Sequence, residues 1–236
     1  MLATEKTFTA TDDLRDQPAY TLAEGARYLK LPTVTLRSWV LGRAYQTRGG
    51  DRNFPALIRP ASPKPPPLLS FWNLIEAHVL RSLRTEHGVS VAALRKALRY
   101  AEEKLAIERL LLRKELCTDA GQVFLDRYSQ LINLSASGQL AMRHVFDEHL
   151  KRVEWDQWKF PVRLYPMLSA DSPSQSRLIA IDPKISFGRP VVLKKGISTT
   201  VIVERIDAGE QVADLAKDYE LDPADIEQAV VYERAA

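Results

Sequence analysis

Cysteine is nearly absent from this sequence, which contains one such residue, Cys117, among 236. A single thiol excludes a disulfide within the chain and a cysteine-rich zinc cluster, so we expect Cys117 only to fill space. The sequence also lacks an apolar run long enough to cross a membrane. Its first residues have neither the basic start nor the apolar stretch of a signal peptide. We therefore expect a cytoplasmic protein without a membrane segment.

The sequence patterns of common enzymes are missing as well. There is no Gly-rich phosphate loop, nucleophile elbow or clustered acid–base pair. His144 and His149 are five residues apart, whereas a spacing of four would place two imidazoles on one face of a helix. The sequence therefore predicts a protein that is not an enzyme and that has no metal site or cofactor.

The overall composition is that of an ordinary globular protein. Hydrophobic residues make up 45% and charged residues 27%, with a formal net charge of +3. The length allows one large domain or two to three small ones. Because the net charge is small, its distribution along the chain is more informative than its sum.

The stretch Tyr20–Leu41 has the spacing of two short helices joined by a tight turn. Thr21 precedes an apolar face and is a candidate N-cap. Pro32 has no amide hydrogen, so it ends the first helix and is tolerated only at the start of the second. The second helix is predicted over Thr33–Val40.

This second helix combines residues expected to be buried with residues expected to be polar and exposed. The expected buried side chains are Val34, Leu36, Trp39 and Val40, and the expected polar ones are Thr33, Thr35, Arg37 and Ser38. In a recognition helix the polar side chains would enter the major groove of double-stranded DNA, where Arg37 could bond guanine edges. The alternative is a short amphipathic hairpin with a purely structural role.

The segment that follows is strongly basic. Between Arg37 and Lys64 there is one acid, and the six bases are Arg37, Arg43, Arg48, Arg52, Arg59 and Lys64. Such an excess favours contact with phosphate. Gly42, Gly49 and Gly50 supply the backbone freedom for a turn, so we expect a β-wing in which Arg43, Arg48 and Arg52 contact the DNA backbone. Basic exposed loops that serve only solubility are the alternative.

These motifs resemble the winged-helix DNA-binding domain of MerR-type regulators over about residues 20–105. The matching features are Thr35-Leu36-Arg37 followed by Trp39, the basic wing, a helix opening at Ser70, and Gly88-Val89-Ser90 before another helix. The resemblance implies that Thr-Leu-Arg lies on the recognition helix. The proline-rich run 59–67 departs from the family pattern, and we expect it to be an exposed spacer.

The middle of the chain is predicted to mix strands and helix. Apolar runs at Leu110–Leu116 and Val123–Tyr128 flank a turn, which indicates a β-hairpin. A helix to about Val153 and an aromatic cluster follow. Residues 169–177 are rich in serine, aspartate and proline and are predicted to be a linker.

The last part of the chain is predicted to form short strands at Ile179–Ile181 and Val191–Leu193 and then three helices. The helices are expected at Thr200–Ala208, Val212–Tyr219 and Pro223–Arg234, with Asp222 as the cap of the last one. This part resembles a small bacterial domain family of unknown function found in VapB-type antitoxins. The matching residues include Ile181-Asp182-Pro183, Gly188-Arg189-Pro190-Val191, Asp214-Leu215-Ala216 and Asp225-Ile226. Lys194-Lys195-Gly196 departs from the usual Gly-Thr-Arg.

Charge argues against DNA binding by this last part. From Glu204 to Glu233 there are ten acids and two bases, Arg205 and Lys217. Phosphates would be repelled unless Lys194 and Lys195 supplied the contact. We therefore expect a protein–protein role for these helices.

The expected fold is α+β and mainly helical. We predict a flexible arm over 1–19, a MerR-like winged helix-turn-helix over 20–108, a small α+β region over 109–168, a linker over 169–177 and a three-helix domain over 178–236.

Together, the two resemblances imply an antitoxin of a type II toxin–antitoxin system. It would bind its own promoter as a homodimer and neutralise a VapC-type PIN-domain ribonuclease toxin by direct contact. Toxins of that class hold magnesium in an acidic site, which an antitoxin cation could enter. Arg143, Arg152 and Arg234 are open candidates, and no toxin-binding residue is assigned. The alternative is a stand-alone MerR-like regulator without a toxin partner.

Overall fold

The computed structural model describes residues 13–47, 50–85, 94–95, 98–100, 102–103, 108–112, 151–167 and 177–235. Within these ranges helices are combined with small antiparallel sheets, as expected for an α+β fold. The predicted strand Val123–Tyr128, the histidines His144 and His149, and Arg48 lie outside the described residues.

The two helices predicted near the N-terminus are present. Strand β1 spans Tyr20–Thr21, helix α1 spans Leu22–Tyr28 and helix α2 spans Thr33–Leu41. Thr21 caps α1 as predicted. Its Oγ1 accepts a hydrogen bond from the Glu24 amide at 3.2 Å, and the Glu24 carboxylate accepts one from the Thr21 amide at 2.8 Å. This reciprocal pair satisfies two amides at the start of the helix.

The burial predicted for α2 is confirmed at three positions and wrong at one. Leu36, Trp39 and Val40 are buried, whereas Val34 is 78% exposed. Residues two apart on a helix point in different directions, so Val34 cannot share the inner face with Leu36. Val34 therefore lies on the outer face of α2, which is part of the candidate site.

A two-stranded hairpin follows α2 directly, where the wing was predicted. Strand β2 spans Arg43–Thr47 and pairs antiparallel with β3, Gly50–Phe54. The Trp39 carbonyl then accepts hydrogen bonds from the amides of Leu57 and Ile58 at 2.7 and 3.0 Å. The proline-rich run is therefore anchored at its start, while residues 63–66 are exposed as predicted. Strand β4, Leu68–Leu69, pairs with β1.

Helix α3, Phe71–Thr85, lies at the centre of the larger core. Its residues 71–80 are all buried, which is typical of a helix surrounded by other elements. Ser70 is the predicted cap, and its Oγ accepts a hydrogen bond from the Asn73 amide at 3.2 Å. The buried Asn73 amide group bonds the Arg59 carbonyl and the Glu76 carboxylate at 2.9 and 2.8 Å, so its polar atoms are satisfied.

The strand predicted over Leu110–Leu116 is wrong for its first three residues. Leu110–Leu112 form a 3₁₀ turn that packs against α3. Arg109 turns the chain just before it with φ 48°. A short apolar run has no periodicity to separate a strand from a buried turn, which explains the difference.

The middle region contributes a hairpin of strands β5, Val153–Trp155, and β6, Pro161–Leu164. Val153 begins a strand here, although it was predicted to end a helix. Residues 13–19 pack nearby and differ from the loose arm predicted from their polar sequence. The Arg15 guanidinium bonds Asp13 and Asp156, each at 2.6 Å, and the Arg15 carbonyl accepts from the Trp72 amide.

The C-terminal part contains a three-stranded sheet and three helices. Strands β7, Ile179–Ala180, β8, Val191–Val192, and β9, Ile197–Ser198, lie in that order. The helices are α4, Thr199–Asp207, α5, Val212–Tyr219, and α6, Pro223–Arg234. All three helices match the prediction to within one residue, and Asp222 is the N-cap of α6. Strand β9 was not predicted.

Candidate nucleic-acid interface

Helix α2 presents one exposed face to solvent. Thr33, Val34, Arg37 and Leu41 are exposed and follow one another at steps of one, three and four residues. Residues three and four apart lie on the same side of a helix, so these side chains form one stripe opposite the buried Trp39. Among the described residues Arg37 has no ion-pair partner. This face can therefore offer a guanidinium, a hydroxyl and a methyl-rich side chain to a ligand.

Two other predicted residues of α2 are less available. Thr35 and Ser38 are partly buried, and the Ser38 hydroxyl donates a hydrogen bond to the Thr35 carbonyl at 2.8 Å. That hydroxyl is already used within the helix. Of the predicted polar set, Thr33 and Arg37 therefore lie on the exposed face, and Thr35 and Ser38 lie beside it.

The hairpin places further predicted residues after the end of α2. Gly42 has φ 76°, a left-handed conformation that turns the chain from the helix into β2. Arg43 is exposed at the start of β2. Arg52 lies on β3 opposite Tyr45 in the antiparallel register, and Arg48 lies outside the described residues.

Arginines from other elements hold this region in place, and sequence analysis did not identify their role. Arg81 of α3 donates a hydrogen bond to the Leu29 carbonyl at the end of α1. Arg95 donates to the Pro55 carbonyl at 2.8 Å, and its guanidinium lies 4.7 Å from the centre of the Phe54 ring. Both contacts are between residues far apart in sequence, so no local pattern predicts them.

Two lysines of the C-terminal unit, in contrast, form ion pairs within that unit. Lys194 bonds Asp225 at 2.7 Å and Asp222 at 3.1 Å, and Lys195 bonds Glu220 at 2.6 Å. These hydrogen bonds raise the pKa of Lys194, and Lys195 lowers the pKa of Glu220. The two lysines considered for phosphate contact are thus engaged with carboxylates.

The same holds for the arginines of the C-terminal helices. Arg205 bonds Glu210 and lies 2.7 Å from Asp218, and Arg234 lies 2.7 Å from Asp207. The hydrogen bond from Arg205 lowers the pKa of Glu210. All of these pairs lie at the surface, where a single pair contributes little to stability. Their importance here is that they occupy the cations.

The C-terminal unit is docked on α1, the helix that precedes α2. The Tyr232 hydroxyl of α6 donates to the Tyr28 carbonyl at 2.9 Å, and the Lys30 ammonium lies 4.2 Å from the centre of the Tyr232 ring. Burial raises the pKa of Tyr232 and lowers the pKa of Lys30. Farther along the junction, Leu164 and Ile181 exchange two backbone hydrogen bonds of 3.0 and 2.8 Å.

The part of the chain that the structure describes contains neither a metal-binding group of side chains nor a membrane-spanning helix. No group of three or more His, Cys, Asp or Glu side chains there could hold a metal ion. None of the helices in those residues is long and apolar enough to cross a membrane.

Comparison with known proteins gives one family match. Residues 179–232 match the model of a family described as "Protein of unknown function (DUF433)". This range contains all three C-terminal helices except the last two residues of α6. The match agrees with the resemblance predicted for this part of the chain.

Over nearly its whole length the chain is similar to a mycobacterial protein. It is 28% identical over 237 residues to "Putative antitoxin VapB45" of Mycobacterium tuberculosis (strain ATCC 25618 / H37Rv), covering 91% of this chain and 93% of that protein. The crystal structure of Rv2018 from Mycobacterium tuberculosis superimposes with a TM-score of 0.64 at 22% identity, covering 90% of this chain and 97% of that one. The fold is therefore shared along most of the chain.

Proposed function

We propose that this protein is a cytoplasmic, non-enzymatic antitoxin of a type II toxin–antitoxin system. It binds its own promoter through the N-terminal region and neutralises a VapC-type PIN-domain ribonuclease toxin by direct contact. The observation that carries this proposal is the 28% identity to a protein named as an antitoxin, which extends over 91% of the chain. An alignment of that extent includes both the candidate DNA-binding region and the C-terminal unit.

The exposed face of α2 supports the DNA-binding part of the proposal. In the winged helix-turn-helix interpretation, α2 is the recognition helix and the β2–β3 hairpin is the wing. Arg37 donates hydrogen bonds to a guanine edge in the major groove, and Thr33 reaches phosphate or base. Arg43, Arg48 and Arg52 contact the backbone, which adds affinity without sequence preference. A homodimer reads a palindrome and adds the binding free energies of two half-sites.

Two of the three candidate cations for an acidic toxin site lie among the described residues. Arg234 is exposed near the end of α6, and its pair with Asp207 is a surface pair that a partner's carboxylates can replace. Arg152 is partly buried, and Arg143 lies outside the described residues. Arg234 therefore stays a candidate for that role, with a toxin carboxylate in place of Asp207.

The test is co-expression of this chain with the neighbouring gene, followed by size-exclusion chromatography and a growth assay. We expect a small partner that co-elutes with this chain, arrests growth when expressed alone and no longer does so when this chain is present. The neighbouring gene expressed alone is the control for toxicity. Absence of any partner, with binding to the upstream DNA intact, would instead support a stand-alone MerR-like regulator.

A further inference from the structure

Phe187 is the most exposed large hydrophobic side chain among the described residues. Its exposed fraction is 91%, compared with 65% for Trp158 and 57% for Val231. Nearly the whole ring is in water, where an apolar surface is unfavourable. The ring therefore contributes almost nothing to the core of this chain. Any role of the ring lies in contact with another molecule.

The backbone that carries Phe187 is strained. Ser186, Phe187 and Gly188 have φ values of 47°, 56° and 74°, so three consecutive residues are left-handed. This conformation is rare for residues with a side chain, and least expected for a bulky one. Two hydrogen bonds close the turn, from the Gly188 amide to the Ile185 carbonyl at 2.9 Å and from the Arg189 amide to the Ser186 carbonyl at 3.1 Å.

The strained turn sits on a rigid support. Gly188 lies so close to the buried Tyr20 that a Cβ atom added to it would be 1.9 Å from the Tyr20 hydroxyl oxygen. Only glycine fits this contact. Strain of this kind persists where the surrounding structure fixes it, and it is concentrated at functional sites. The backbone at Phe187 is therefore fixed before any partner arrives, which lowers the entropy cost of ordering the loop on binding.

Two cations flank Phe187 in the sequence. Lys184 and Arg189 are both exposed, and neither side chain forms an ion pair within the part of the chain that is described. They differ in this from Lys194, Lys195, Arg205 and Arg234, which are all paired. An aromatic ring with neighbouring cations suits an apolar pocket bordered by carboxylates.

We propose that the 184–189 loop is the surface that contacts the toxin, with Phe187 inserted into an apolar pocket of the toxin and Lys184 and Arg189 facing carboxylates around it. This inference rests on the proposed antitoxin function and adds the contact surface, which the sequence left unassigned. The proposed partner at this surface is the toxin.

The charge of the loop distinguishes the toxin from other occupants. A two-fold axis at this loop would bring Lys184 and Arg189 of both copies into one interface, where these like charges would repel. DNA is disfavoured because Glu204, Asp214 and Glu227 of the same unit are exposed and would repel phosphates. A different protein with acidic groups at its binding surface would be repelled in neither way.

The test compares toxin binding with the stability of the free chain. The full chain is titrated with the toxin encoded by the neighbouring gene. For Phe187→Ala we expect the Kd to rise about 30-fold or more, as for a residue that anchors an interface. The unfolding midpoint of the free chain should not fall, because the ring makes little contact within it. Val201→Ala, which truncates another exposed side chain of this unit, is the control and should change the Kd by less than about 3-fold.

Phe187→Gly gives a second, more diagnostic signature. Glycine tolerates the left-handed backbone, so this substitution should raise the unfolding midpoint while it removes toxin binding. A residue needed only for structure would not change the two quantities in opposite directions.

Charge reversal tests the flanking cations separately. The double variant Lys184→Glu/Arg189→Glu should slow association with the toxin about 10-fold or more at low salt, and high salt should reduce this difference. Lys217→Glu, at an exposed position on α5, is the matched control and should leave the association rate nearly unchanged.

Each result that contradicts the proposal has a different consequence. If wild-type chain binds the toxin and Phe187→Ala binds it equally well, the loop proposal is overturned and the antitoxin function stands. If Phe187→Ala instead changes the oligomeric state or the affinity for promoter DNA, the commitment to the toxin is wrong. If wild-type chain binds no toxin, the proposed function and the proposed occupant are both overturned.

Discussion

The exposed cations at α2 and β2 differ from the two lysines that follow β8 in whether they have ion-pair partners. Arg37 and Arg43 are exposed without an ion pair among the described residues, whereas Lys194 and Lys195 are each held by carboxylates within 3.1 Å. A cation already paired must lose that partner before it binds a phosphate. The pairing of the charges, and not only their number, therefore decides which cations are available to an anionic ligand.

The acidic side chains of the two regions also differ. In the C-terminal unit Lys194, Lys195, Arg205 and Arg234 are paired, whereas Glu204, Asp214 and Glu227 are exposed and form no ion pair among the described residues. This surface therefore has an excess of negative charge that repels a nucleic acid. Around α2 the excess is positive. The two regions are suited to different partners, although they are joined in one fold.

The largest effect is expected where these two regions meet. Gly188→Ala places a Cβ 1.9 Å from the Tyr20 hydroxyl oxygen and forces an alanine to adopt φ 74°. Strain and overpacking together should lower the free energy of unfolding by about 2–5 kcal/mol, measured by urea denaturation. A stability loss of this size would show that the docking of the C-terminal unit supports the whole fold.

Gly209→Ala is the matched control for this prediction. Gly209 also has a left-handed backbone, φ 98°, but nothing lies within 4 Å of the added Cβ. It should therefore lose only about 1 kcal/mol, the cost of the backbone conformation. Equal losses for the two variants would mean that contact with Tyr20 contributes nothing. Tyr20→Phe removes the nearest atom and should recover part of the loss in the Gly188→Ala background.

The next prediction tests directly whether unpaired cations bind DNA and paired ones do not. Arg37→Ala should weaken binding to the promoter by about 1–3 kcal/mol and relax the preference at one base pair, if the guanidinium bonds a guanine. Lys194→Ala should leave both quantities unchanged, because that lysine bonds Asp222 and Asp225. Titration of promoter DNA and of single-base variants measures both. A stronger effect of Lys194→Ala than of Arg37→Ala would reverse the assignment of the two surfaces.

A smaller effect is expected for a cation that contacts only the backbone. Arg43→Ala should weaken binding to all DNA sequences alike and reduce the slope of log K against log salt by about 1. Lys195→Ala, whose lysine bonds Glu220 at 2.6 Å, is the control and should leave the slope unaltered. An unaltered slope for Arg43→Ala would place the start of β2 away from the phosphates.

The elements that could be predicted from sequence are those specified by nearby residues. Thr21 and Glu24 start α1, and Asp222 with Pro223 starts α6, in each case through contacts within three residues. The β2–β3 hairpin was predicted from Gly42, Gly49 and Gly50 in the sequence. Strand β9 was missed because Ile197 is its only apolar residue, whereas β7 and β8 lie in apolar runs of three or more residues.

Contacts between distant parts of the chain could not be predicted. The bond from Tyr232 to Tyr28 joins residues 204 positions apart, and Arg81 reaches Leu29 over 52. No local pattern encodes such pairs. The candidate site was therefore predicted at α2 itself, where polar and apolar positions alternate locally, and its supporting arginines were not. Phe187 was also missed, because an apolar residue gives no sign in sequence that it is exposed.

Val34 gives the smallest predicted effect and the finest test of the α2 surface. It is 78% exposed and lies three residues before Arg37 on the same face, so a groove that receives Arg37 also receives Val34. In the major groove an apolar side chain contacts the 5-methyl group of thymine. Replacing one thymine of the promoter by uracil removes that methyl and should weaken binding by about 0.8 kcal/mol, the value for one buried methylene. With Val34→Ala the same replacement should have little effect. If every uracil position affects wild type and variant equally, Val34 contacts no thymine, although Arg37 could still read its base.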